Sequence, residues 1–178
     1  MVDNKEYWIP ARTRFNQEVC LREFFTDNGI THFVPSRRIV RKFGGRVREV
    51  ETPLIPNLVF LKVNWNEAFR LLRVCQNKMF YIRQKDRRIL TVPDRQMDDF
   101  IRLTTEMEGK VTISPDGYVV GDRVVIRSGN LAGIEGLLVD TGGKKEFVLQ
   151  IDALFSARVR IPQSNLIKIK DPNPSPVK

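Results

Sequence analysis

The sequence predicts an α+β protein in two parts, a sandwich of three helices on a mainly antiparallel sheet followed by a small β-barrel. Before residue 108, apolar residues recur three times at helical spacing, and extended apolar runs separate these stripes. After residue 117 the helical stripes stop, and short alternating runs separated by glycines replace them. Between the two parts, residues 108–117 lack periodicity and contain Gly109, Pro115 and Gly117, which is typical of an interdomain linker.

The first part, residues 5–107, alternates predicted strands and helices. Gly29 follows the first helical stripe, where a left-handed helix cap is expected. Gly44-Gly45 separates two runs that alternate basic and apolar residues, which predicts a hairpin turn. Pro93 stands where the first turn of a helix tolerates proline. In chain order, we expect strands at 7–11, 30–34, 58–63, 80–83 and 88–92, and helices at 16–28 and through residues 68–75 and 97–104.

The segment 52–63 carries the strand around which we expect the first part to be organised. Pro53 and Pro56 bracket a Leu-Ile pair, and proline lacks an amide donor and favours extended backbone before it. The segment therefore predicts a turn that leads into a buried strand. Leu58 and Phe60 share one face of that strand, and three further aliphatic residues share the other. Since both faces are apolar, we expect each to be covered by helices or by a partner.

Charge points to nucleic acid, or to a complex that holds it, as a partner. The 178 residues carry a net charge of +9. Residues 1–107 hold 20 Lys or Arg against 13 Asp or Glu, a surplus of seven, and one segment without an intervening acid supplies six of these charges. Its basic residues are Arg37, Arg38, Arg41, Lys42, Arg46 and Arg48.

The second part is expected to fold as a small barrel over residues 118–169. Six short apolar runs occur within about fifty residues, and single or paired glycines separate them. The last residues, 170–178, contain three prolines and are predicted to be a disordered tail.

Other features argue against membrane insertion, secretion and catalysis. No apolar run approaches the length that spans a bilayer, and the N-terminus is polar, so we expect a cytoplasmic protein without a membrane partner. Cys20 and Cys75 lie in apolar helical patterns and are expected to be reduced core thiols. His32 is the only histidine and is expected to be a half-buried strand residue. We therefore expect no catalytic residues, no metal and no cofactor.

Two groups of motifs carry a resemblance to a known family. Gly121-Asp122-Arg123-Val124 followed by residues 129–139 resembles a KOW motif, whose glycines turn the chain between the first two strands of an SH3-like barrel. Residues 7–9, 30–35 and 53–60 resemble the NGN domain of NusG-type transcription elongation factors. An NGN domain followed by a KOW domain would cover residues 5–169. The Leu-Ile-Pro-Asn sequence, the basic hairpin and the proline-rich tail are more similar to the specialised RfaH-like and UpxY-like antiterminators of polysaccharide operons.

The resemblance implies that an apolar depression on the NGN domain binds the clamp helices of RNA polymerase. The matching positions here are Ile55, Leu58, Phe60 and Tyr81. Leu58 stands where the family commonly has an aromatic ring, which departs from the pattern. An exposed apolar patch of this kind suits protein binding, whereas Leu58 and Phe60 fit a core position as well.

The basic residues suit a second surface, one that contacts DNA. Arginine and lysine neutralise phosphates without regard to sequence, so the six hairpin residues are predicted to meet upstream duplex or the non-template strand. By the resemblance, Arg12, Arg14 and Asn16 correspond to a region that reads exposed non-template DNA in the specialised members. The alternative for any such run is a solvated charged face.

In the second part, the resemblance assigns Phe155 to a loop that offers an aromatic ring to a ribosomal protein. A barrel-core phenylalanine is the alternative. Some RfaH-like members refold this part as a helical hairpin. The glycines here argue against that, since each costs about 1 kcal/mol inside a helix relative to alanine.

The sequence thus predicts a monomeric, non-enzymatic elongation or antitermination factor that binds RNA polymerase and suppresses pausing and termination. One alternative is a ribosome- or RNA-binding KOW protein whose basic first part holds structured RNA. Another is a general NusG, which would bind RNA polymerase in the same way but would recruit a termination factor.

Overall fold

A computed structural model describes residues 4–15, 17–115 and 120–169. The predicted tail at 170–178 lies outside these residues. The chain divides into two compact units, residues 1–101 and 102–178. The first unit contains β1 (Tyr7–Thr13), α1 (Glu18–Asp27), β2 (Thr31–Phe33), β3 (Ser36–Phe43), β4 (Arg46–Pro53), β5 (Leu58–Val63), α2 (Trp65–Val74), β6 (Met79–Tyr81) and most of α3 (Asp94–Glu106). The second contains β7 (Thr112–Ser114), β8 (Asp122–Ile126), β9 (Glu135–Thr141), β10 (Lys144–Ile151), β11 (Phe155–Val159) and β12 (Leu166–Lys168).

The first unit is built on a four-stranded sheet with the order β2-β5-β1-β6. Its pairings are antiparallel, and the central pair runs from Tyr7 opposite Val63 to Arg12 opposite Leu58. The predicted strand at 88–92 contributes only isolated bridges, of which one joins Val92 to β1. Three helices and an antiparallel sheet confirm the predicted class, and β5 occupies the predicted span.

The chain's own helices cover both faces of β5. Val59, Leu61 and Val63 lie in a core cluster with buried residues of α1 and α2. On the opposite face, the ring of Phe60 lies 6.1 Å from that of Phe100 in α3. Both apolar faces are therefore covered, as expected, and the chain's own helices cover them.

Strands β3 and β4 form a separate two-stranded sheet, which we call the hairpin. Its turn is Gly44-Gly45, as predicted, with φ of 53° and 81°. Both angles lie in the left-handed region that a two-residue hairpin turn of this kind requires and that glycine adopts without strain.

The second unit is built on a six-stranded sheet ordered β12-β8-β9-β10-β11-β7. Part of the predicted linker is not a connector, because Thr112–Ser114 pairs with β11 as an edge strand. The division between units also falls inside α3 and not at residue 107. The last turns of α3 belong to the second unit, where Arg102 donates to the backbone oxygens of Asn130 (2.8 Å) and Ala132 (3.1 Å).

The two cysteines differ in environment. Both are free thiols, but Cys20 is exposed, so its assignment to the core was wrong. It stands on the solvent side of α1, one position before the buried Leu21. Cys75 is buried as expected, and burial raises the pKa of its thiol.

The glycines of the KOW-like segment have two different structural roles. Gly129 and Gly133 have φ of 82° and 85° in the turn between β8 and β9. Gly136, in contrast, lies inside β9, where an added Cβ would stand 2.5 Å from a ring carbon of Phe147 and 2.6 Å from the carbonyl oxygen of Val148. Glycine is required at position 136 because these atoms approach its Cα closely, and not because the chain turns there.

We expect Gly136→Ala to destabilise the second unit by about 1–3 kcal/mol, since a methyl group has no space beside a buried ring and a backbone oxygen. Urea unfolding of the full chain, with hydrogen exchange of the β9 and β10 amides to assign the transition, measures this. Val120→Ala, at a fully solvated position, is the control. An unchanged midpoint for Gly136→Ala would mean that the Phe147 ring moves aside freely.

Candidate protein- and nucleic-acid-binding surfaces

The four residues predicted to bind polymerase do not form an exposed patch. Ile55, Leu58, Phe60 and Tyr81 are all buried, with none more than 8% exposed. Leu58 and Phe60 lie on the face of β5 that α3 covers. Tyr81 lies in the α1–α2 core, where its hydroxyl donates to the backbone oxygen of Ala68 at 2.9 Å and burial raises its pKa. These assignments are therefore corrected: the four side chains stabilise the unit and are not free to contact a partner.

A buried carboxylate fixes the loop that joins β4 to β5. Asn57 has a φ of 58°, and its amide donates to Oε1 of Glu18 at 2.6 Å. Its carbonyl accepts from the amide of Thr13 at 3.0 Å. The loop is thus tied to the first turn of α1 and to the end of β1, which turns Ile55 inward and leaves Pro56 exposed.

Exposed apolar side chains occur in the segments that are bonded to this loop or continue from them. Phe15 is 79% exposed just after β1, and Phe80 is 53% exposed on β6, directly opposite Arg12 of β1. Val19, beside Glu18 on α1, is also exposed. Phe15 and Phe80 lie at the end of the sheet where β1 finishes and β5 and β6 begin, since the three strands are antiparallel, and Val19 follows Glu18, which is bonded to Asn57 at that end. We call this set the corner patch: Phe15, Val19, Pro56 and Phe80.

The sequence could have indicated part of this patch. In the strand predicted at 80–83, Phe80 and Tyr81 point to opposite faces, and in the structure Phe80 is exposed while Tyr81 is buried. Phe15 had no such signal, because it lies between β1 and α1, where neither strand nor helix periodicity applies.

Two predicted DNA-binding residues lie beside the patch. Arg12 and Arg14 are exposed at the end of β1, and the amide of Arg14 donates to the oxygen of Lys78 at 3.0 Å. Asn16 lies outside the described residues. The corner thus combines apolar and guanidinium groups, as protein interfaces commonly do.

The six basic hairpin residues are exposed, as a nucleic-acid surface requires. Glu51 fixes the base of the hairpin: it accepts from Nη1 of Arg22 on α1 at 2.7 Å and from the Ser36 hydroxyl. These contacts hold the pKa of Glu51 below its usual value, with the Ser36 hydrogen bond the largest cause. The carboxylate therefore stays ionised and keeps the hairpin base attached to α1.

The assignment of Phe155 to an exposed loop is wrong. Phe155 is the first residue of β11, pairs with Ile151 of β10 and is buried. The turn before it consists of residues 152–154, of which only Ala153 is exposed. The expected aromatic contact of the second unit with a ribosomal protein therefore has no exposed ring at this position.

Within the described ranges, no three or more His, Cys, Asp or Glu side chains are grouped as a metal site requires. In the same residues, no helix has the length and apolar character needed to cross a membrane.

Comparison with known proteins agrees with this architecture. A family model described as transcription termination factor NusG matches residues 6–101, more than half of the 178 residues. The solved structure of Thermotoga maritima NusG, a study of its domain interaction, is similar over 93% of this chain and 98% of that one, with a TM-score of 0.52 and 21% identity. At this identity the likeness shows the fold alone. No curated protein matches the sequence.

Proposed function

The chain belongs to the NusG family, and from this premise we propose that it is a transcription elongation and antitermination factor that binds the clamp of RNA polymerase through its first unit. Family membership supports a role in transcript elongation or termination. The observation that carries the binding mode is the corner patch, which keeps two phenylalanines and a valine in water at one end of the sheet.

Exposed rings of this size favour a protein partner. Transfer of a phenylalanine side chain from water to an apolar environment is worth roughly 1.5–3 kcal/mol. Phe15 and Phe80 together would therefore supply several kcal/mol if a helical surface of the polymerase covered them. Arg12, directly opposite Phe80, adds a charged group at the edge of the same contact.

We further propose that the protein is a specialised factor for particular operons, of the type that serves polysaccharide synthesis. Its support is the Leu-Ile-Pro-Asn loop and the exposed basic hairpin, which resemble the RfaH-like and UpxY-like members. Arg12 and Arg14 are exposed at the end of β1, which supports a contact with non-template DNA beside the polymerase, and the hairpin would provide a second set of cations for nucleic acid.

A reconstituted elongation assay tests this function. Polymerase transcribes templates that carry or lack candidate leader sequences, with and without the purified protein. We expect shorter pauses and increased readthrough in its presence. Readthrough confined to certain leaders identifies a specialist, and readthrough on every template identifies a general factor.

No effect on elongation at saturating protein would contradict the proposal. If the protein then bound structured RNA tightly, the KOW-type RNA-binding alternative would replace it.

A further inference from the structure

We propose that the hairpin has two functionally different faces and that only one of them binds nucleic acid, as an unpaired strand whose base stacks on Phe43. The proposal rests on the nucleic-acid contact proposed above and not on polymerase binding. It assigns the contact to four of the six basic residues and gives the other two a different role.

The pairing register separates the six cations. Residues directly opposite each other in an antiparallel pair lie on the same face, and faces alternate along each strand. The register runs from Ser36 opposite Pro53 to Phe43 opposite Arg46. One face, which we call the cationic face, consists of Arg37, Thr52, Ile39, Val50, Arg41, Arg48, Phe43 and Arg46. The opposite face consists of Ser36, Pro53, Arg38, Glu51, Val40, Glu49, Lys42 and Val47.

The two faces differ in charge. The cationic face carries four guanidinium groups and no acid, whereas the opposite face carries two cations and two carboxylates. On that opposite face Arg38 stands across from Glu51 and acts to lower its pKa. Among the described residues, no ion pair or side-chain hydrogen bond joins any of the four arginines of the cationic face to a partner.

Arg41 lies directly opposite Arg48, and this pairing is the strongest sign of a ligand. Like charges across an antiparallel pair destabilise the hairpin. An anion between the two guanidinium groups removes this repulsion and forms charge-assisted hydrogen bonds with both. A phosphodiester has the charge and the acceptor oxygens to do so.

Phe43 favours an unpaired strand over a duplex. Its ring is 52% exposed at the tip, on the cationic face and beside the arginines. Aromatic side chains next to a positively charged groove stack on bases of single-stranded nucleic acid, and a duplex offers no free base for such stacking. From Arg37 to Phe43 the strand extends about 20 Å, long enough for contact with several nucleotides.

The opposite face suits a protein neighbour or solvent. Its charges balance, and its exposed side chains include Val40 and Val47. The contacts of Glu51 with Arg22 and Ser36 lie on this face, so it is the side tied to α1 at the base. The cationic face then points away from these contacts.

The test compares two double variants of the full-length protein. Arg41→Gln with Arg48→Gln and Arg38→Gln with Lys42→Gln each remove two positive charges, so both lower the net charge from +9 to +7. Fluorescence anisotropy with a short single-stranded DNA, the same sequence as RNA, and a duplex measures affinity at several salt concentrations.

We expect the first double variant to weaken single-strand binding about tenfold and to lower the slope of log affinity against log salt by about 1.4. We expect the matched variant to change affinity less than about threefold. Phe43→Leu, which keeps apolar bulk and removes the ring, should weaken single-strand binding about tenfold and leave duplex binding unchanged. The DNA and RNA arms identify which strand is preferred.

Equal losses in the two double variants would overturn the proposal, because the hairpin would then act as an undirected positive charge. A Phe43→Leu variant that binds single strands normally would remove the stacking contact. Polymerase capture, measured on the same variants, separates these outcomes from a failure of the proposed function, since the corner patch is unchanged in all of them.

Discussion

Replacing Phe15 and Phe80 together with aspartate is expected to abolish capture of RNA polymerase while the protein stays folded. Both rings are largely exposed, so the substitutions leave the core intact. In the complex, each lost ring removes roughly 1.5–3 kcal/mol of apolar burial, and each carboxylate must be desolvated. The combined loss corresponds to a decrease in affinity of at least about a hundredfold.

Binding of the purified variant to immobilised polymerase measures this effect. Phe69→Asp is the matched control: Phe69 is 52% exposed, like Phe80, but lies on α2 near Trp65 and not at the corner. We expect it to bind polymerase normally. If Phe69→Asp lost as much affinity as the double variant, or if the double variant bound fully, the corner patch would not be the polymerase surface.

Phe60→Ala is expected to destabilise the first unit by about 3–5 kcal/mol, because Phe60 is fully buried and its ring meets that of Phe100 under α3. A change of this size is a large fraction of a domain's stability. Urea unfolding of the full-length variant measures it. Phe80→Ala, which removes an equally large but exposed side chain, should change stability by no more than about 0.5 kcal/mol.

The Phe60 result decides between two explanations of the double-proline motif. If Phe60 were a contact residue, Phe60→Ala would lose polymerase affinity and keep its unfolding midpoint. Because the ring is enclosed, we expect Phe60→Ala to lower the unfolding midpoint. Any loss of polymerase binding should then be explained by the fraction of the variant that is unfolded.

Much of the architecture was predictable because its signals are local. The glycine pair at 44–45 fixed the hairpin, and the proline-flanked apolar run gave β5 its bounds. The register of the hairpin follows from the same turn: with two residues in the loop, Phe43 must face Arg46 and all other pairs are set. The sequence alone therefore determines that four arginines lie on one face of the hairpin and the other two cations on the opposite face.

The exposed surface was harder to predict because it depends on non-local packing. Both faces of β5 are apolar, so strand periodicity cannot say which face α3 covers or whether a partner is needed. Phe155 was misplaced because the resemblance assigns it to a loop, whereas the turn ends at residue 154 and β11 begins with this ring. In both cases, burial in the folded unit decided the role of an aromatic residue.

The corner patch is contributed by three stretches of chain, around residues 15–19, 56 and 80, which are joined by the pairing of β1 with β5 and β6 and by the hydrogen bonds of Asn57 with Glu18 and Thr13. A peptide copied from any single stretch would present at most two of the four apolar side chains, whereas the partner would contact all of them. Polymerase that recognises this corner would consequently bind the folded factor and would not bind damaged or incompletely folded copies.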